Sequence, residues 1–222
     1  MVAHVLVLNP NSSVACTEGI RASLAAFAGA GPGFVVEGLV DGPAAVATWG
    51  DWFAAAGPLL RRVEAAEAGG AEAGGPPLAY VVACASDPAV DLLRSVTPRP
   101  VFGALRSGIA AAMARADRFG IVAFVGASVA RHRRVLQAMG LEHRCAASLP
   151  LNLGMDSLTH PDACRPRLLE VASTLKAAGA EAVVLGCAGM AGHRRYLEDA
   201  AGLPVIEPVK AAEVQALLGW ED

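Results

Sequence analysis

Residues 78–86 read Leu-Ala-Tyr-Val-Val-Ala-Cys-Ala-Ser, and residues 182–189 read Ala-Val-Val-Leu-Gly-Cys-Ala-Gly. Each is a short apolar run that ends in a cysteine followed by small residues. An unbroken apolar run of strand length, without polar alternation, is what a strand buried on both faces of a parallel sheet looks like. Two near-copies so far apart predict a chain of two similar halves, each an α/β unit around parallel strands.

The flanking sequence fits that division. In the first half Val2–Leu8, Phe34–Val36 and Leu78–Ala83 read as strands, with amphipathic helices over Ala15–Ala28 and Trp49–Ala66 and a Gly/Ala-rich loop over Glu67–Pro77. A second set begins near Val101, with strands at Phe119–Phe124, Cys145–Leu149 and Ala182–Gly186 and helices at Ile109–Ala116, Val129–Met139 and Arg165–Ala178. Pro204–Pro208 reads as a last short strand, and a helix over Val209–Leu218 is placed to return to the first lobe. The expected lobes are residues 1–100 plus 207–222, carrying Cys84, and residues 101–206, carrying Cys187.

Composition narrows the function. Hydrophobic residues make up 54%, but they are mostly Ala and Val broken by Gly and charge. No apolar run reaches the ~20 residues of a membrane span. The 18 Lys and Arg are scattered among 21 Asp and Glu, without the basic patch of a nucleic-acid binder. The N-terminus enters the first strand with no basic, apolar, cleavable leader, so the expectation is a cytoplasmic protein. The cysteines at 16, 84, 145, 164 and 187 form no CxxC pair and no zinc-ligand spacing, which predicts free thiols, no structural metal and no disulfide framework.

Ligands of parallel α/β sheets collect at the carboxyl ends of strands, where Cys84 and Cys187 sit. A thiol just before a helix feels the positive end of its dipole, which favours thiolate. The N–H groups of Ala85, Ser86, Ala188 and Gly189 would then be open to hold a carboxylate or an enolate oxygen. Facing each other, one thiolate removes a proton α to a carbonyl while the opposite thiol returns one from the other face. Taken singly, each cysteine reads as a small core residue. Their repeated context reverses that reading, whereas Cys16, Cys145 and Cys164 keep it.

With those motifs in view, the chain resembles the Asp/Glu/hydantoin racemase superfamily, and within it the hydantoin and allantoin racemase branch. The resemblance rests on Leu8-Asn9-Pro10-Asn11-Ser12-Ser13 with Thr17, Asp41-Gly42-Pro43-Ala44, Ala83-Cys84-Ala85-Ser86-Asp87-Pro88, Leu185-Gly186-Cys187-Ala188-Gly189-Met190 and Pro204-Val205-Ile206-Glu207-Pro208. It implies a pseudo-symmetric α/β fold of two lobes, a site in the cleft between them, and cofactor-independent two-base catalysis by Cys84 and Cys187 on a small molecule, with no metal. Asn9, Ser12 or Ser13, Ala85, Ser86, Ala188 and Gly189 are then the expected substrate contacts. Ala123 and Phe124 stand where the branch carries two ligand-contacting threonines, and Arg106 stands where it commonly carries glutamate. A homo-oligomer is expected.

Other charged and aromatic residues have plainer readings. Arg131, His132, Arg133 and Arg134 look like a solvated helix face, Arg106 like a solvated side chain, and His160 like a loop residue. His193 is close enough to tune Cys187, and Trp49 and Trp52 either pack a helix or cover the cleft. Three alternatives stay open. A maleate cis-trans isomerase would use one cysteine as nucleophile. An arylmalonate decarboxylase would need only one thiol. A two-lobed binding protein would have kept the fold without turnover.

Overall fold

Among the described residues, eight strands divide between two parallel sheets of four, and the two sheets repeat one strand order. The computed structural model describes residues 3–27, 29, 32–69, 75–158 and 160–218. In the first sheet β1 (His4–Asn9) lies between β2 (Gly33–Gly38) and β3 (Ala79–Val82), and β4 (Val101–Gly103) pairs with β3 at the edge. In the second, β5 (Phe119–Ala123) lies between β6 (Cys145–Pro150) and β7 (Ala182–Gly186), and β8 (Val205–Ile206) pairs with β7. β3 and β7, the strands that end in the echoed cysteines, therefore hold the same place in each sheet. All residues of β3, β5 and β7 are buried, which explains their unbroken apolar sequence.

Val101–Gly103, expected to open the second set of elements, instead closes the first sheet. The chain changes lobes after it, in α5 (Ala104–Met113), whose Leu105, Ile109 and Ala112 pack with Phe119, Ile121 and Val184 of the second sheet. The reverse crossing is made by α10 (Pro208–Leu217), whose Val209 and Ala212 pack with Val5, Val7 and Val81 of the first. The two crossing helices lie against each other. A Cβ on Gly108 of α5 would sit 2.9 Å from the Pro208 Cβ and 3.0 Å from the Val184 Cγ1, so this approach needs glycine.

The remaining helices are α1 (Val14–Leu24), α2 (Trp49–Ala54), α3 (Ala56–Ala68), α4 (Val90–Val96), α6 (Gly126–Met139), α7 (Met155–Leu158), α8 (Pro161–Ala177) and α9 (Arg194–Ala201). The helix expected over Trp49–Ala66 is broken at Ala55, because Pro58 has no N–H for the Ala54 carbonyl and its ring crowds that turn. Of the segments read from sequence, Val2, Ala28 and residues 70–74 of the Gly/Ala-rich loop lie outside the described residues. Among the described residues, no helix is long and apolar enough to cross a membrane.

Candidate active site

Neither echoed cysteine opens an α-helix. After Cys84 the chain makes a turn over Ala85–Ala89, with Asp87 at φ 48° and Ala89 at φ 60°, and α4 starts only at Val90. Pro88 disfavours helical backbone at Asp87. The Asp87 carboxylate also reaches away, accepting the N–H groups of Leu105 at 2.7 Å and Arg106 at 3.0 Å to cap α5. After Cys187 a short 3-10 turn spans Ala188–His193. The dipole argument for easily ionised thiols therefore fails.

Burial dominates instead and works in the opposite direction. With the Asp87 carboxylate acting in the same direction, it pushes the Cys84 thiol up to about 11, opposed by the Ser86 hydroxyl 3.5 Å from the sulfur, by the Ser86 N–H and, least, by the charge of Arg131. Cys187 is raised further, first by burial and then by the neighbouring Cys16 thiol, with the Gly189 N–H opposing. In each loop the amide two residues after the cysteine thus faces that cysteine's own sulfur.

Both cysteines line one cavity of about 30 Å³ between the sheets, together with Asn11, Cys16, Val46, Ala85, Ser86, Phe124, Ser128 and Ala188. That is room for a water or two, so a substrate enters only when the cleft widens. Two larger hollows flank it. One of about 390 Å³ runs along α1 and the 188–193 turn and shares the Cys16 and Ala188 walls. The other, about 340 Å³, lies beneath Trp49, Trp52 and Arg106 and shares Ser86.

Of the expected contacts, Ala85, Ser86, Phe124 and Ala188 line the cysteine cavity, and Ser13 and Gly189 line the hollow beside it. Asn9 does not: it is fully buried, and its amide donates to the Asn11 Oδ1 at 3.1 Å and the Thr17 Oγ1 at 3.0 Å, so it positions Asn11 rather than facing the cleft. The Ser13 hydroxyl caps α1, accepting the Cys16 N–H at 3.2 Å, and Ser12 bonds to the Pro43 carbonyl through its backbone N–H at 3.0 Å. Ala123 is sealed inside β5, one residue short of the cavity wall formed by Phe124.

The charged residues depart further from expectation. Arg106 pairs with Asp87 and Asp91 rather than standing in solvent. Arg131 is only 2% exposed, and it donates to the Val46 carbonyl at 3.2 Å, the Ala47 carbonyl at 3.3 Å and the Ser128 Oγ at 2.9 Å, with its guanidinium 5.8 Å from the Trp49 ring centre. His132 is fully buried, shares a 3.0 Å hydrogen bond with the Ser148 Oγ and is held neutral, pushed down to about 4 by burial and by Arg131. Arg133 and Arg134 are exposed, as a solvated helix face would have them: Arg133 pairs with Glu142, and Arg134 lies over the Trp49 and Trp52 rings. Reading α6 by face would have found the buried pair, since Ser128, Arg131, His132 and Val135 share the inward stripe. The His193 Nε2 is engaged with the Leu158 carbonyl at 2.7 Å.

Among the described residues, no group of three His, Cys, Asp or Glu is arranged to hold a metal ion. The segment Ala45–Thr48 closes the cleft from the first lobe. Asp51 accepts the Ala47 and Thr48 N–H groups at 3.1 and 2.7 Å on one side, and Arg131 binds the Val46 and Ala47 carbonyls on the other.

Residues 5–216 match the model of the family described as Asp/Glu/hydantoin racemase. A hydantoin racemase of Paenarthrobacter aurescens is 34% identical over 211 residues, covering 94% of this chain and 87% of that protein. Among solved structures, an allantoin racemase from Klebsiella pneumoniae superposes with a TM-score of 0.86 at 30% identity, covering 97% of this chain and 87% of that one. An allantoin racemase from Pseudomonas fluorescens gives a TM-score of 0.88 at 25% identity, covering 97% and 90%.

Proposed function

The chain belongs to the Asp/Glu/hydantoin racemase family, on its hydantoin and allantoin racemase branch, and from that premise we propose how and on what it acts. It is an isomerase that inverts a carbon α to a carbonyl, with Cys84 and Cys187 as the paired acid and base, on a 5-substituted hydantoin, allantoin or a related amino-acid derivative. The observation that carries this reading is the meeting of the two strand-end sulfurs in the wall of one small cavity. A planar carbanion held there has a sulfur available on either side. Ser86 and the small walls of Ala85 and Ala188 let the ring approach both.

Proton removal leaves charge on the carbonyl oxygen, and donors at that oxygen supply much of the rate. Asn11 is the amide side chain in the cavity wall and takes that place in this reading. Asn9 and Ser13 support it from behind, while Ser12 ties the segment to Pro43. The Ser13 N–H donates to the Asn11 Oδ1 at 2.9 Å, and the Asn9 amide fixes the same oxygen, so the Asn11 NH2 is the end on the cavity side, where it also reaches the Cys16 Sγ at 3.9 Å. We further take the protein to work as a cytoplasmic homo-oligomer, in which a second copy would cover the exposed Phe53. Light scattering on the purified protein measures this.

The reaction is tested by incubating single enantiomers of 5-substituted hydantoins, allantoin, aspartate and glutamate with the protein in D2O. Loss of the α-proton is followed by NMR alongside optical rotation. Exchange that keeps pace with racemisation on a hydantoin or allantoin is the expected result. A folded, reduced protein that exchanges none of them overturns the reading.

A further inference from the structure

The hydrogen-bonding side chains in the wall of the cysteine cavity come from both lobes. Asn11 and Ser86 belong to the first, and Ser128 of α6 belongs to the second. Among the described residues, no side chain with a formal charge lines this cavity. Ser128 is only 3% exposed, and its backbone N–H is satisfied by the Val125 carbonyl at 2.9 Å. Its Oγ accepts from the Arg131 Nη2 at 2.9 Å. A guanidinium can only donate, so the proton of the Ser128 hydroxyl takes no part in that bond. Among the described residues it finds no acceptor. A buried donor left without an acceptor costs stability, and this one stands in the wall of the cavity where the chemistry is placed. Arg131 also donates to the Val46 carbonyl at 3.2 Å and the Ala47 carbonyl at 3.3 Å, so the orientation of the hydroxyl is tied to the closing segment.

We propose that Ser128 is a substrate-binding residue: its hydroxyl, turned by Arg131, donates to a second carbonyl oxygen of the substrate, the one that stands between the two nitrogens of a hydantoin ring. The proposal rests on the racemase reading of this cavity and deepens it. Asn11, from the first lobe, takes the carbonyl beside the stereocentre, where charge develops. Ser128, from the second lobe, takes the other, so the ring spans the cleft and closing the cleft brings both donors to it. Two donors from opposite walls ask for a ligand with two acceptors, and a wall without charge asks for one that is itself uncharged. A free amino acid would carry an ammonium and a carboxylate into this cavity with no opposite charge in the wall to meet either, at a heavy cost in lost hydration. A cyclic ureide meets both demands.

The test reads binding rather than turnover, so it succeeds or fails independently of the racemase assay. Dissociation constants of unsubstituted hydantoin, 2-thiohydantoin and 4-thiohydantoin are measured by ligand-observed NMR for wild type and Ser128→Ala. Hydantoin is achiral, so turnover leaves it unchanged, and each thio analogue replaces one carbonyl oxygen with sulfur, a poorer acceptor. Wild type is expected to bind hydantoin about five- to tenfold more tightly than 2-thiohydantoin, the usual weight of one neutral hydrogen bond. Ser128→Ala should bind hydantoin weaker by a similar factor and no longer distinguish it from 2-thiohydantoin, while its preference over 4-thiohydantoin persists. A folded Ser128→Ala protein that binds hydantoin as wild type does, or that keeps the preference over the 2-thio analogue, overturns the proposal. Should that variant not fold, wild type decides, since equal affinity for hydantoin and 2-thiohydantoin, or binding of neither, overturns it as well. Proton exchange on the chiral substrates in D2O then shows separately whether the racemase reading stands.

Discussion

The indole Nε1 of Trp52 donates to the backbone carbonyl of Ser86 at 2.9 Å, tying the helix behind the closing segment to the loop that carries Cys84. Trp52→Phe keeps an aromatic ring beside Trp49 and Phe53 but leaves that carbonyl unpaired. The expected loss is about 1 kcal/mol of stability, read as a lower unfolding midpoint. Racemisation should fall more steeply than stability, through kcat, because the Cys84 loop loses its outer support.

Cys84→Ser and Cys187→Ser should each lower racemisation by two to four orders of magnitude, the usual weight of a positioned acid or base, ~10²–10⁴. Both variants should fold, because serine is close in size to cysteine. In D2O each should retain slow α-proton exchange with one enantiomer only, and the two should prefer opposite enantiomers. Exchange with both enantiomers by either variant would remove that cysteine from the pair.

The pH profile should climb into the alkaline range. Burial holds both thiols above their ordinary value, with Cys84 at about 11, so the thiolate fraction in the free protein rises tenfold per pH step through neutrality and beyond. The log of kcat/KM against pH should therefore rise with a slope near one from pH 6 to 9, without the plateau near 8.5 that an exposed thiol would give. An early plateau would mean that the cleft opens enough in solution to hydrate the sulfurs.

Glu213 of α10 is fully buried, and among the described residues neither of its carboxylate oxygens has a hydrogen-bond partner. Burial, with Glu207 nearby, pushes it up to about 9. The folded protein thus keeps a proton that the unfolded chain gives up above about pH 4.5, so stability falls as pH rises from there and levels off near 9. Glu213→Gln should flatten this slope and raise stability at pH 8 by an amount on the order of a few kcal/mol. Thermal melts from pH 5 to 9 measure it, and parallel curves for the two proteins would contradict it.

Gly108→Ala should destabilise by about 1–3 kcal/mol, because the new methyl meets Pro208 and Val184 where α5 and α10 cross. Chemical denaturation is the measurement. Gly126, with nothing within 4 Å of its would-be Cβ, is the control position expected to tolerate alanine.

What could be read from the sequence followed from how local the signal was. The buried strands announced themselves in Ala79–Val82 and Ala182–Gly186 because both faces of each strand are covered, and the cysteines came with them as the next residue. The helix after Cys84 was misread because Ala-Ser-Asp-Pro combines helix-start residues with a proline that forbids the start, and only the distant amides of Leu105 and Arg106 show what Asp87 does instead. Cys16 and Arg131 went unseen for a related reason. Each reaches the cleft by contact across the chain, from a helix whose neighbours in sequence look ordinary. Asn9 and Asn11 share one motif, and which of the two faces the cavity depends on the Thr17 hydroxyl eight residues on from Asn9.

The crossing of α5 and α10 bears on how such a chain can come apart. Each half begins with four strands and then sends its last helix onto the other half's core. Cut after Ala114, the front piece would present the bare face that Val209 and Ala212 cover, and the rear piece would lack Leu105 and Ile109. A half-length polypeptide of this pattern completes itself only by trading tails with a twin. The fused chain is such a trade made permanent, and each cysteine depends on a layer that the opposite half supplies.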